Sequence, residues 1–313
     1  MTFKPVFREA QRSQSKACIV IEGLSGSGKS GLALAIARAL ASGWEKIYGT
    51  DTENRSMDLF DGIRMHTGVE PFGKFRKFDL LSVHGYAPTH YLAAMQHAVA
   101  EGAEVYIHDS ITHMWQQKGG LLEIVSEAQR RDPKLNKWTA WGTPEVLTQK
   151  AAVLDCIRSS EVHVISTVRV KEKHELVEGK MQSLGEQQQQ MPDLKYEPDL
   201  VIHMLKPGNE DGTPPRGRIG KSRYTIFKQG EEYEFTASLL EQLRQYLEEG
   251  ADPAVLLEAQ RIEFIQQIIE SCEGDASLKQ MLPMIMDQVK IPRKKLNELT
   301  LAEARTLLTV VLS

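Results

Sequence analysis

The chain has 313 residues and a formal charge of −4, long enough for one full α/β core plus a smaller appendage. Nothing in the bulk balance demands a polyanion partner, and no apolar run approaches the length that spans a bilayer. Cys18, Cys156 and Cys272 have neither zinc-ligand spacing nor a disulfide framework, so a reducing cytoplasm is expected, and the polar, basic start from Met1 to Lys16 lacks the apolar stretch of an export signal.

Short β-rich runs alternate with amphipathic stretches through the first two thirds, which predicts a largely parallel sheet covered by helices. Strands are expected near 17–22, 46–51, 75–80, 104–109, 162–167 and 199–204, with helices near 29–41, 88–101, 118–130 and 144–159. Thr143 and Pro144 open the last of these helices. Segment 171–198 contains Gln187 to Gln190, shows no clear periodicity, and reads as a mobile loop. Breakers cluster from Pro207 to Gly217, followed by an expected hairpin of strands near 216–220 and 223–228. Beyond about Ala251 the pattern is helical alone: Asp252 and Pro253 open one helix, and Thr300 with Glu303 forms a capping box. The expected organisation is a polar tail over 1–16, a core over 17–247 and a helical C-terminal domain over 248–313.

The most informative run is GLSGSGKS, residues 23–30, between the apolar run from Ala17 to Ile21 and a helical stretch from Gly31. This is a phosphate-binding loop. Gly23, Leu24, Ser25, Gly26, Ser27 and Gly28 supply backbone N–H groups to the phosphates of ATP, Lys29 reaches the terminal phosphates, Ser30 offers a hydroxyl to Mg²⁺, and Gly31 lies in the first turn of the helix. The run Val105 to His108 closes on Asp109, the expected metal carboxylate. Ser110 follows it, so the base that activates water must come from another strand. Asp51-Thr52-Glu53 ends the second strand, at the edge where ligands collect in open α/β sheets; Glu53 is the expected base, with Asp51 assisting the metal. The alternative is that both acids cap the following helix. No histidine pair has ligand spacing on one helix face, and His108 and His203 read as core residues.

Three basic clusters could meet a polyanion. One is Arg169, Lys171, Lys173 and Lys180 among several glutamates; the second is Arg130, Arg131, Lys134 and Lys137 beside Trp138 and Trp141; the third is Arg216, Arg218, Lys221 and Arg223. From Glu231 to Asp275 twelve acids stand against Arg244 and Arg261, a net of −10 that leaves +6 on the rest.

GLSGSGKS, Asp51-Thr52-Glu53 and His108-Asp109-Ser110, in this order, resemble the ATPase core of the RecA-like recombinases, nearest to the short phage single-strand annealing ATPases of the Sak-four type. Trp138 to Lys173 is similar to theirs as well, and the likeness covers residues 17–230. The resemblance implies a RecA-like P-loop fold, Mg²⁺-dependent hydrolysis of ATP, single-stranded DNA and a single-strand-binding protein as partners, a homo-oligomeric ring or filament, and the cytoplasm of a phage host. It also implies that Lys221 and Arg223 reach a neighbour's γ-phosphate. Thr167 stands where that family usually has a glutamine that senses the γ-phosphate. A small-molecule P-loop kinase and a nucleotide-gated loader with little hydrolysis are the competing readings.

Overall fold

A computed structural model describes residues 11–63, 72–81, 83–158, 161–177, 180–205 and 213–312, with backbone alone for 172–177, 180–188 and 193. The elements, in chain order, are β1 (Cys18–Gly23), α1 (Lys29–Leu40), β2 (Ile47–Asp51), β3 (Arg76–Asp79), α2 (Pro88–Ala100), β4 (Val105–Asp109), α3 (Thr112–Gln116), α4 (Leu121–Arg131), α5 (Pro144–Ile157), β5 (His163–Val177), β6 (Lys180–Gln188), β7 (Leu200–Met204), β8 (Arg216–Ser222), β9 (Glu232–Glu234), α6 (Ala237–Glu248), α7 (Pro253–Gly274), α8 (Ala276–Gln288) and α9 (Leu301–Val311). The chain divides into two compact units: Lys16–Leu247, and Glu248–Ser313 joined by the chain's start, Met1–Ser15. No described helix is long and apolar enough to cross a membrane.

The larger unit holds one sheet in the order β3-β2-β4-β5-β1-β7-β8-β9. From β3 to β7 the neighbours run parallel, and β8 and β9 close the edge antiparallel. β1, β2 and β4 are buried along their whole length, as expected of strands covered on both faces. Their side chains alternate between two layers. Ile19, Ile21, Ile107 and Ile165 pack with Leu32, Ile36 and Leu243 of α1 and α6. Cys18, Val20 and Val168 pack on the other face with Tyr91, Ile124, Val153 and Ile157 of α2, α4 and α5. All three cysteines are free and buried.

Two expectations are corrected. Within 171–198, where a loop is expected, residues 171–177 and 180–188 are strand. β5 runs on past the parallel sheet to Val177 and pairs antiparallel with β6, forming a ribbon with an irregularity between Glu172 and His174. The second strand of the late hairpin is β9, not 223–228. Tyr224 and Phe227 are buried apolar anchors, set three residues apart in the turn that joins β8 to β9.

In the smaller unit, Phe264, Ile268, Ile285, Leu307 and Leu308 form the core of α7, α8 and α9. Asp252 caps α7 by accepting from the Ala254 N–H at 2.8 Å. Thr300 and Glu303 form the expected reciprocal box at α9. Arg261 ties the middle of α7 to the carbonyls of Asn297 and Leu299 at 3.0 and 3.1 Å. Gln14 N–H donates to the Ala251 carbonyl at 3.0 Å, and Ala251 N–H returns a bond to the Arg12 carbonyl at 3.1 Å, so Ser13 pairs with Ala251 in a short parallel bridge.

Candidate nucleotide site

Parallel registry brings the sequence motifs to one edge of the sheet. Gly23 is paired with Arg169, Asp51 with Asp109, and Glu22 with His203. The loop between β1 and α1 owes its shape to its glycines. Gly28 has φ +87°, where a side chain is strained. A Cβ on Gly23 would meet Ser27 Oγ at 2.7 Å and Met204 Cβ at 3.0 Å. α1 begins at Lys29 with no side-chain cap and no acid in its first turn, which leaves its first N–H groups and the positive end of its dipole open to an anion.

Lys29 is 8% exposed, and its Nζ donates to the Leu24 carbonyl at 2.8 Å. Burial lowers its pKa, against the opposing pull of Glu53 and Asp109. A lysine folded against its own loop is poised for phosphate oxygens. Asp109 is buried beside Ser30 and Thr167, and Thr167 Oγ1 donates to Asp109 Oδ1 at 2.5 Å. Burial pushes the Asp109 carboxyl up to about 6; the Ser30 and Thr167 hydroxyls pull it down, and the Glu53 and Asp51 charges push it further up. Its Oδ2 is buried without a hydrogen-bond partner. That orphaned oxygen, together with the Ser30 hydroxyl, fits a hard divalent cation such as Mg²⁺.

The raised carboxyl has a consequence for stability. A folded-state pKa above the unfolded 3.8 means that the protonated form is favoured by folding; this contribution is complete below pH 4 and is lost as pH rises through about 6. At pH 7.5 the fold therefore carries an ionised carboxyl at this residue against the cost of its burial. Asp109→Asn is expected to raise the melting temperature of the nucleotide-free protein at pH 7.5 and to raise it by clearly less at pH 4.5, while removing the extra stabilisation given by Mg²⁺ with ATP. A variant less stable than wild type at pH 7.5, yet still stabilised by Mg²⁺ with ATP, would show that Asp109 is not the metal carboxylate.

Glu53 is held by Arg169, whose Nε donates to Glu53 Oε1 at 2.8 Å. Burial raises the Glu53 pKa, but the Arg169 hydrogen bond and charge, with help from His113 and Lys29, bring the net shift below the usual carboxylate range. Thr52, between the two acids, is a hub: its hydroxyl accepts from Ser110 N–H at 2.9 Å, lies 3.1 Å from the Asp109 carbonyl and meets His113 Nδ1 at 2.7 Å. This ties the end of β2 to the end of β4. The Asp109–Ser110 peptide is cis.

Asp51 is built into the turn rather than presented to a metal. Its two oxygens accept the N–H groups of Glu53 at 2.9 Å and Met57 at 3.0 Å, and Lys77 Nζ lies 3.5 Å from Oδ2. Lys77 also pairs with Asp58 at 3.0 Å and with Asp79. Lys221 and Arg223 are not brought to the phosphate loop of their own chain. The β7–β8 register sets Lys221 beside Val201 and Arg218 beside His203, so the former two lie at the opposite edge, bonded to the Tyr196 carbonyl at 2.7 Å and Asp199 at 2.9 Å. His108 is a core residue, bonded to the Cys156 carbonyl at 3.0 Å and pushed down to about 4 by burial. His203 is not: its side chain is 42% exposed and bonded at 2.5 Å to Glu22, which is fully buried.

Beside the loop, away from Asp109, lies a cavity of about 640 Å³ lined by Leu24, Ser27, His203, Met204, Ile219 and Gln229. Of the basic clusters, Trp138 is 82% exposed next to Lys137, whereas Trp141 stacks on Trp115 at 6.0 Å and packs against the core. Arg131 is engaged by Glu145 at 2.9 Å. The side chains of Lys173 and Lys180 lie outside the described residues. The Arg169 pairing, the Thr52 hub and the contacts of Lys77 with Asp51 and Asp58 carry no local sequence signal, because each joins residues that only the assembled sheet brings together.

A family model for the AAA domain (AAA_24) matches residues 15–234, from just before β1 to the end of β9. No curated protein matches the chain.

Proposed function

Because the chain belongs to this AAA domain family of P-loop ATPases, we propose that it is a RecA-like, Mg²⁺-dependent ATPase that binds single-stranded DNA when charged with ATP, assembles with copies of itself as a ring or filament, and promotes annealing or strand exchange. The observation that carries this reading is the convergence of Lys29, Ser30, Asp109, Thr167 and Glu53 at the edge from which the β5–β6 ribbon projects. ATP places its terminal phosphate against Lys29 and the first turn of α1. Ser30 and Asp109 would hold Mg²⁺, which would supply charge neutralisation there. Glu53 takes the proton of the attacking water. The nucleoside runs to the other side of the loop, into the cavity lined by Met204, Ile219 and His203, where an apolar floor and a ring accept a base.

Single-stranded DNA is assigned to Lys171 with the ribbon, and to Trp138 with Lys134 and Lys137. A lysine neutralises phosphate without reading sequence, and an exposed indole stacks on any base. A single-strand-binding protein as a further partner and the action of Lys221 and Arg223 on a neighbouring subunit belong to the same proposal. The Arg169–Glu53 pair is the observation that favours the second reading, a nucleotide-gated DNA loader with little hydrolysis.

Hydrolysis measured with and without single-stranded DNA separates the two. The ATPase reading expects turnover that DNA raises; a loader binds DNA with a non-hydrolysable analogue and turns over negligibly in either condition. In both, DNA affinity falls steeply with salt and shows little base preference. Trp138→Ala is expected to weaken DNA binding about tenfold or more while leaving nucleotide affinity unchanged. Salt-independent binding, or none to any nucleic acid with the analogue present, would remove DNA from the proposal.

A further inference from the structure

Arg169 occupies an unusual junction. It lies two residues beyond Thr167, in register with the first glycine of the phosphate loop, at the point where β5 leaves the parallel sheet for the ribbon. Its backbone is fixed from both sides: its N–H donates to Thr112 Oγ1 at 2.9 Å, and its carbonyl accepts from Gln189 N–H at 2.9 Å. Its side chain, half-buried, crosses to Glu53 on the loop after β2, 116 positions away in sequence. Its charge is also felt at Lys29 and at His113, and it feels Asp109 in turn. One guanidinium thus stands among the lysine that meets the phosphates, the metal carboxylate and the base.

That arrangement is self-consistent only without a terminal phosphate. A carboxylate paired with arginine is a poor base, since the pair stabilises its ionised form. A γ-phosphate seated against Lys29 brings a denser negative charge, and it offers a guanidinium the parallel two-point geometry that arginine prefers. Resting on the ATPase reading above, we propose that Arg169 is a phosphate-sensing positioning residue: it holds Glu53 in the nucleotide-free state and exchanges it for the γ-phosphate of bound ATP. The exchange frees Glu53 to accept a proton from water and sets a positive charge on the phosphoryl group being transferred. Because Arg169 is the root residue of the ribbon, the same exchange gives β5–β6 a different anchor with ATP than with ADP. Thr167, already engaged with Asp109, is then not required to report the phosphate.

The test is equilibrium binding, with Mg²⁺, of a non-hydrolysable ATP analogue and of ADP. Arg169→Gln is expected to lower affinity for the analogue about 10- to 100-fold, the range for losing hydrogen bonds to a charged partner, and to leave ADP within about twofold. Arg169→Lys, which keeps the charge and loses the fork, falls between. Glu53→Gln removes the competing carboxylate, so it is expected to tighten the analogue several-fold and not ADP, and the gain should vanish in the Arg169→Gln background. Melting curves without nucleotide establish that each variant folds; should Arg169→Gln not fold, the Arg169→Lys and Glu53→Gln ratios carry the test. An analogue-to-ADP ratio unchanged by the Arg169 and Glu53 substitutions, or a Glu53→Gln gain that persists without Arg169, overturns the proposal. Lys29→Ala separates the levels: if it leaves both nucleotides bound as in wild type, the ATPase reading itself fails, whereas Lys29-dependent binding with a ratio indifferent to Arg169 sinks only the exchange.

Discussion

Glu53→Gln is expected to lower the turnover of ATP by about two to four orders of magnitude, the usual contribution of a positioned general base, while the protein still binds Mg²⁺ with ATP. The amide keeps the shape of the carboxylate and can still accept from Arg169, which stands 2.8 Å away, so the turn that carries residue 53 is undisturbed. What is lost is an oxygen able to take a proton. Because Asp51 spends its oxygens on Glu53 N–H, Met57 N–H and Lys77, it is poorly placed to take over. Single-turnover hydrolysis with nucleotide bound to saturation measures the step directly. A rate within about tenfold of wild type would move the base elsewhere and leave the Glu53–Arg169 pair a structural ion pair.

How much of this site was legible in the sequence depended on whether its parts were contiguous. GLSGSGKS is eight adjacent residues whose types are fixed by local demands: a left-handed backbone at Gly28, no room for a Cβ at Gly23, a cation at Lys29. The buried parallel strands were legible for a related reason, since both of their faces are covered and the run is apolar throughout. The ribbon was not. Residues 171–188 carry charged and polar side chains with no apolar alternation, and the pairing of β5 with β6 comes from a backbone ladder that leaves no mark on composition. Near 223–228 the cause is the opposite: Tyr224, Ile226 and Phe227 look like a strand, yet Tyr224 and Phe227 serve as buried anchors of a turn.

The acids show the same limit at the scale of single residues. Asp51 and Asp109 both end an apolar strand, and both are buried. Only the neighbours that registry supplies tell them apart: two N–H donors and Lys77 for Asp51, hydroxyls and an unpartnered oxygen for Asp109. Arg169 reads in the sequence as one of a basic group suited to DNA; the fold gives it to Glu53.

Lys29→Ala is expected to abolish hydrolysis and to weaken the binding of ATP by two to three orders of magnitude, about 3–4 kcal/mol, as for truncating one partner of a desolvated charge pair. No other described cation is left to replace it: Arg169 is paired with Glu53 and, in the exchange proposed above, already serves the γ-phosphate, and Lys221 and Arg223 lie at the opposite edge of the sheet. The loss should be specific to the nucleotide. Lys29 is buried, its charge is disfavoured by desolvation, and its bond is to the Leu24 carbonyl of its own loop. Removing it relieves one cost and forfeits one hydrogen bond, so the melting temperature without ligand should stay within a few degrees of wild type, while the upward shift that ATP gives the wild type disappears. A variant that melts as wild type does and keeps the ATP-induced shift would show that the loop between β1 and α1 is not where the triphosphate binds.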